Sequence, residues 1–182
     1  MTDDIPLHRP LYFAAASLAA REHRNDLRKD GRTPYFAHPV RVAMVILREF
    51  GFDDDAILAA ALLHDVIEDC DTDYEDISDA CSDEVASYVV AMSKDPRLPE
   101  AEREPAYDWQ LAEGPWQARL IKLADVYDNL MDARTNNGRR KIIGRAERAL
   151  KLAKNDPQLA GASAKLHGLI ETVSDLLERD AS

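Results

Sequence analysis

AILAAALL, residues 56 to 63, is an unbroken apolar run that leads directly into His64-Asp65, with Glu68-Asp69 three positions later. A run this apolar belongs inside a folded domain, because apolar surface is driven out of water. It therefore carries four ionisable groups to the edge of the interior. Burying charge without compensation is expensive, so whatever this chain folds into must bring partners to that point. A bound cation is one way to meet that demand.

Around that run the sequence reads as helix after helix. Apolar residues recur at helical spacing over 10–29, 37–50, 54–69, 73–80, 82–94, 106–112, 116–133, 139–154 and 157–179. Gly51 reads as a helix stop, and Asp53, Asp54 and Asp55 supply an N-cap and favourable first-turn charge for the segment that follows. Residues 95–105 hold three prolines and many charges and read as a loop. Gly114-Pro115 break the chain before 116, and Asn136-Asn137-Gly138 read as a turn. No segment alternates as a strand does, and no repeat is present. The expectation is an all-α fold, a single compact helical domain spanning 1–182.

Charge narrows the class of partner. With 34 acidic against 23 basic residues, the net charge is -11. Such a surface argues against nucleic-acid binding, which needs Lys and Arg to neutralise phosphates. A small anionic ligand is compatible, provided that a metal or a local basic cluster offsets the field. Cys70 and Cys81 are the two cysteines, too few for a disulfide framework and without the pairing of a zinc motif. LYFAAASLAA, residues 11–20, is broken by Ser17 and flows into a charged segment, so it reads as an internal amphipathic helix. No apolar run approaches the roughly 18 residues of a membrane span. The expected location is the cytoplasm, with no membrane partner. Trp109, Trp116 and the apolar face of the last helix can pack internally or between subunits, so the oligomeric state stays open.

Three places give the ionisable cluster its chemistry. His64 and Asp65 offer a nitrogen and an oxygen, which suit a divalent ion such as Mn, Fe or Zn. His38 stands before Pro39 at the start of an apolar helix, either a packed core histidine or a group projecting into a cleft. Asp125 interrupts the stripe Leu120, Ile121, Leu123, Ala124 and must be paired with Lys122 or an arginine, protonated, or on a metal. Together, His38, His64-Asp65 and Asp125 form a metal-site pattern drawn from three helices. Arg24, Arg28, Lys29, Arg32 and Arg41 make the densest basic patch, with Arg24 and Arg28 one helical turn apart. They are either a solvated cluster or a funnel for phosphates. Glu68-Asp69 are either general acid-base groups or a solvated helix end that runs into Asp71 and Asp73. Lys122 reads as a phosphate contact or a supporting lysine, Tyr35 as pocket lining or packing beside Pro34, and His23 as a packed residue rather than a ligand.

The order His38, His64-Asp65, Asp125 resembles the HD-domain metal phosphohydrolases. RKDGRTPYFAHPVRVA, AALLHDVIEDC and IKLADVYDNL are similar to the alarmone (ppGpp) hydrolase domain of RelA/SpoT proteins and to the MESH-type small alarmone hydrolases, over roughly residues 10–155. The resemblance implies that His38, His64, Asp65 and Asp125 ligate one Mn(II), with Fe(II) or Zn(II) compatible with the same donors. It implies that Glu68 and Asp69 handle the attacking water or the leaving group. It further implies that Arg28, Lys29 and Asn129 hold the nucleotide, with Arg24, Lys122 and Tyr35 as further candidate contacts. The implied reaction removes pyrophosphate from the 3′ position of ppGpp or pppGpp, leaving GDP or GTP. The alternative is another phosphorylated nucleotide, such as an adenine alarmone (ppApp) or NADPH.

The chain departs from the family's pattern after Asp125. Val126 stands where a basic residue is usual, Asp128 precedes Asn129, and Met131 occupies a position that is often arginine. The 95–105 stretch is acidic at Glu100, Glu102 and Glu104.

Overall fold

The computed structural model describes residues 9–180, so both ends of the expected 1–182 range lie outside the described residues. Ten α-helices are assigned among the described residues: α1 Leu11–Glu22, α2 Ala37–Val45, α3 Asp55–Leu63, α4 Val66–Asp69, α5 Tyr74–Ala80, α6 Asp83–Met92, α7 Glu100–Glu113, α8 Trp116–Asp132, α9 Asn136–Ala153 and α10 Ala160–Arg179. A π-helical turn, Ile46–Phe50, extends α2, and a 3-10 turn, Pro157–Leu159, leads into α10. The all-α expectation holds among the described residues. The nearest approach to a strand is an isolated bridge between Leu27 and Pro34.

α3 is the axis of the core. Every residue from Ala56 to Leu63 is buried, as a helix apolar on all faces must be. α1, α2, α6 and α8 pack on it, while α9 and α10 pack on α8. The aspartates ahead of α3 divide their work. Asp54 accepts from Ile57 N (2.9 Å), the expected N-cap. Asp55 instead accepts from Leu11 N (2.8 Å) and Tyr12 N (3.2 Å), so it caps α1 from across the core. Gly51 ends the π-helical turn at φ +78°, a left-handed conformation that a side chain resists. Trp116 packs on Phe52, whereas Trp109 is 69% exposed. The apolar face of α10 is turned inward, with Ala162, Leu166, Ile170, Val173 and Leu177 buried.

Four segments differ from the sequence expectation. The first helix ends at Glu22, not near residue 29. Residues 23–36 form a loop tied by Arg28 N to Thr33 O (2.8 Å), Tyr35 N to Asp26 O (2.8 Å) and the Asp30 carboxylate, which accepts from Arg32 N and Thr33 N. The argument that Arg24 and Arg28 share a helical face therefore fails.

The helix expected over 54–69 is broken at His64-Asp65. His64 Nδ1 bonds back to Ala61 O (2.7 Å), and Asp65 takes φ −106°, ψ −6°. Most of the expected 95–105 loop begins a helix instead. α7 starts at Glu100 and tolerates Pro105 because it is clamped from outside: Arg148 of α9 bonds Asp108, the Glu104 carboxylate and Glu104 O. The turn expected at 136–138 is the first turn of α9, where Thr135 Oγ1 accepts from Gly138 N (3.1 Å).

The end of α7 is held by an ion pair drawn from elsewhere in the chain. The buried Arg119 donates to Leu111 O, Ala112 O and Gly114 O and pairs with Asp156 through two nitrogens. These orphan carbonyls are what a helix end leaves behind.

Candidate active site

The break at His64-Asp65 positions the site. It leaves His64 at the buried end of α3 and starts α4 with Asp65, so both side chains face α2 and α8. His38, in the first turn of α2, and Asp125, in the middle of α8, complete the group. His64 Nε2 lies 3.0 Å from Asp65 Oδ2 and 3.9 Å from Asp125 Oδ1. His38 Nε2 lies 3.3 Å from Asp125 Oδ1 and 3.7 Å from Asp65 Oδ2. Donors about 2.1 Å from one ion stand roughly 3 to 4.2 Å apart; the donor atoms of His38, His64 and Asp65 all lie within 4.8 Å of one another, and Asp125 Oδ1 approaches the group through the two histidines. The two histidines are 1% and 2% exposed, and His64 Nε2 has no hydrogen-bond partner. A buried nitrogen without a hydrogen-bond partner that faces two carboxylates fits the role of a metal donor.

Each of these side chains is oriented by a neighbour. His64 Nδ1 donates to Ala61 O, which leaves Nε2 as the free donor atom. His38 Nδ1 donates to Asp128 Oδ2 (2.7 Å), with the same consequence. Tyr35 Oη donates to Asp65 Oδ2 (2.5 Å). Asp125 divides its oxygens: Oδ2 accepts from Lys122 Nζ (2.8 Å), while Oδ1 accepts from Asn129 Nδ2 (2.6 Å) and faces the histidines. Lys122 is thus the partner for Asp125 that the sequence offered, and the carboxylate still presents an oxygen to the cluster.

The electrostatics call for positive charge. Burial works to lower the His64 imidazole, but the Asp65 and Asp125 carboxylates outweigh it and hold it up to about 9. Burial pulls the Asp125 carboxyl upward, yet Lys122 and the two histidines hold it well below the ordinary range. Burial and the Asp65 charge push the Tyr35 phenol up, which keeps it a hydrogen-bond donor. Glu68 and Asp69 are raised, first by burial and also by the Asp65 charge. Glu68 Oε1 accepts from Lys94 N (2.7 Å), which fixes that carboxylate at the start of the segment leading to α7.

Beside the cluster lies a cavity of about 410 Å³, lined by Arg28, Lys29, Arg41, Asn129, Arg134, Lys141 and Arg145, with Asp30 and Asp132 among the acidic exceptions. Arg28 donates to Asp132 (2.9 Å) and Asn129 (3.2 Å) and lies over the Tyr35 ring at 5.6 Å. Arg24 does not line the cavity; it is exposed and donates to Arg21 O. Met131 is 64% exposed on a neighbouring face.

Several contributors escaped the sequence reading. Asp128 is 4% exposed and accepts from His38 and from Arg41 through two nitrogens. Asp132 accepts from both Arg28 and Arg41. The spacing 125, 128, 132 on one helix was the available signal, since those positions share a face. Lys141 and Arg145 are likewise one turn apart on α9. Tyr107, buried on α7, lies under both Lys94 and Lys122 and comes from a segment whose helix the sequence reading began too late.

The family described as HD domain matches residues 15–149, about three quarters of the chain. The chain belongs to the HD domain family. This HD domain is 39% identical over 123 residues to a Xenopus tropicalis protein named guanosine-3′,5′-bis(diphosphate) 3′-pyrophosphohydrolase MESH1, covering 67% of this chain and 69% of that protein. It is 40% identical over 119 residues to the Homo sapiens protein of the same name, covering 65% and 66%. The chain thus spans about two thirds of the length of these curated relatives. A solved structure described as a metazoan ortholog of SpoT that hydrolyses ppGpp superposes with a TM-score of 0.79 at 29% identity, covering 91% of this chain and 96% of that one. Among the described residues, no helix is long and apolar enough to cross a membrane.

Proposed function

We propose that this HD domain is a Mn(II)-dependent hydrolase that removes pyrophosphate from the 3′ position of guanosine alarmones, ppGpp and pppGpp, giving GDP and GTP. The observation that carries this reading is the adjacency of the four-donor cluster, the Glu68-Asp69 pair and a cationic cavity joined to the cluster through Asn129 and Arg28. The relatives' printed activity supports it.

His38, His64, Asp65 and Asp125 hold one divalent ion; the mixed imidazole and carboxylate set suits Mn(II), and also Fe(II) or Zn(II). When bound, such an ion acidifies water and neutralises phosphoryl charge. The chain's own residues do the rest. Tyr35, Asp128 and the Ala61 carbonyl hold the donors in register. Glu68 and Asp69, outside the four donors and with raised carboxyls, accept a proton from the attacking water and return one to the leaving oxygen. Lys122 holds Asp125 and adds positive charge beside it. Arg28 and Lys29 at the cavity wall bind the nucleotide, and Asn129 reaches the ribose region while holding Asp125. Two free thiols and a nucleotide substrate fit a cytoplasmic working place.

The test is turnover of ppGpp, ppApp and NADPH side by side by metal-stripped protein supplied with Mn(II), with products separated by anion exchange. GDP and pyrophosphate from ppGpp are expected. Turnover of ppApp or NADPH in preference would keep the metal site and overturn the guanine assignment. Exposed Met131 and the acidic start of α7 would then be the first places to look for the specificity.

A further inference from the structure

His23, Asp26 and Cys70 converge at a second point, next to the Tyr35 ring and outside the four-donor cluster. His23 Nδ1 stands 3.0 Å from Asp26 Oδ2 and 3.5 Å from Cys70 Sγ, and the three donor atoms all lie within 4.8 Å of one another. A nitrogen, an oxygen and a sulfur bound to one tetrahedral zinc ion stand roughly 3.3 to 3.6 Å apart, given bonds of about 2.0 Å to N and O and 2.3 Å to S. Both separations from His23 are close to those edges.

The environment is built for a cation. His23 is 2% exposed, and its ring is set against Tyr35 at 4.6 Å between centroids. The imidazole is therefore fixed, with Nδ1 presented to Asp26 and Cys70. Asp26 is exposed and Cys70 is partly exposed, which leaves an entry path and room for a water as fourth ligand. The groups that press on the thiol are all acidic. Burial first, then Asp26, Glu22, Asp69 and Asp65, push it up to about 11, so the sulfur stays protonated until a cation replaces the proton.

We propose that His23, Asp26 and Cys70 form a second metal site, for a thiophilic divalent ion such as Zn(II). The sulfur–metal bond forms as the Cys70 proton leaves to solvent. Thiolate selects zinc-like ions over manganese, so the two sites differ in taste as well as place. A bound ion ties the end of α1, and with it the loop that carries Arg28 and Tyr35, to Cys70 at the end of α4. This inference rests on the donor geometry and not on the proposed hydrolysis.

Co(II) distinguishes the sites, because only a thiolate ligand gives the near-ultraviolet sulfur-to-cobalt charge-transfer band. Metal-free protein is titrated with Co(II) and the band is read. It is expected in the wild type, in Cys81→Ser and in Asp65→Asn, which cripples the four-donor cluster. It is expected to be lost in Cys70→Ser and weakened in Asp26→Ala, and added Zn(II) is expected to bleach it. A band that survives Cys70→Ser overturns the proposal, as does a wild type that binds Co(II) with no band at all. Circular dichroism of each variant confirms that a lost band is not a lost fold.

Discussion

Asp128 decides which nitrogen of His38 faces the carboxylates. By accepting from Nδ1 at 2.7 Å it fixes the tautomer, and it is itself pinned by Arg41. Asp128→Asn is expected to lower Mn(II) affinity about 10- to 100-fold with the fold intact, measured by calorimetry. Glu68 acts differently. Glu68→Gln is expected to leave metal stoichiometry unchanged and lower kcat by about 10²- to 10⁴-fold; unchanged turnover would remove Glu68 from the proton path. That His38, His64, Asp65 and Asp125 converge was legible in the sequence, because His and Asp are conspicuous beside apolar runs. Asp128 and Asp132 were not, since an acidic residue on an amphipathic helix has the same letter whether it faces water or a buried arginine. Only the third dimension showed that Arg41 and Arg28 stand opposite them.

At the scale of elements, the successes and misses divide by cause. α8, with its apolar stripe, was readable in type and nearly in extent, and α3, apolar on every face behind the Asp54 cap, was readable in type and start. The break at His64-Asp65 was not, because it turns on one side chain bonding back to Ala61 in place of the regular ladder. α7 was obscured by Pro105, whose cost is met by a clamp from α9 that has no local signal.

That clamp has a pH signature. The Lys94 hydrogen bond, with help from Arg148 and against burial, lowers Glu104 from 4.5 to about 2. A depressed carboxyl stabilises the fold above its unfolded pKa, and the contribution is lost as pH falls from about 4.5 through about 2. Urea unfolding of Glu104→Gln is therefore expected to show a smaller loss of stability between pH 5 and pH 2.5 than the wild type does. Gly51 makes a sharper local prediction. No heavy atom lies within 4 Å of an added Cβ, so Gly51→Ala suffers backbone strain alone. The expected cost is about 1–2 kcal/mol, lowering Tm by about 2–4 °C per kcal/mol in a thermal melt.

For the whole molecule, the all-α class followed from periodicity alone. His38, His64, Asp65 and Asp125 come from elements that pack through α3 and α8, so an ion bound among them bridges α2, the α3–α4 junction and α8 at once. A ligand that binds only the folded state stabilises it by mass action. Mn(II) at 100 times its Kd is expected to add about 2.7 kcal/mol, read as a raised Tm that a chelator reverses and that Asp65→Ala largely loses.

A chain of hydrogen bonds runs round the site from His38 to Asp128, Arg41, Asp132, Arg28, Asn129 and Asp125, and the Asp125 carboxylate comes back to within 3.3 Å of His38 Nε2, which closes the ring. Two of its members, His38 and Asp125, belong to the candidate metal cluster, and Arg28, Arg41, Asn129 and Asp132 line the cavity. Asn129 bonds both Arg28 and Asp125, so under the proposed function a phosphate that draws Arg28 away from Asp132 and Asn129 would couple the nucleotide to the ion. Such a coupling is thermodynamically reciprocal: whatever factor the ion applies to nucleotide affinity, the nucleotide applies to the ion's.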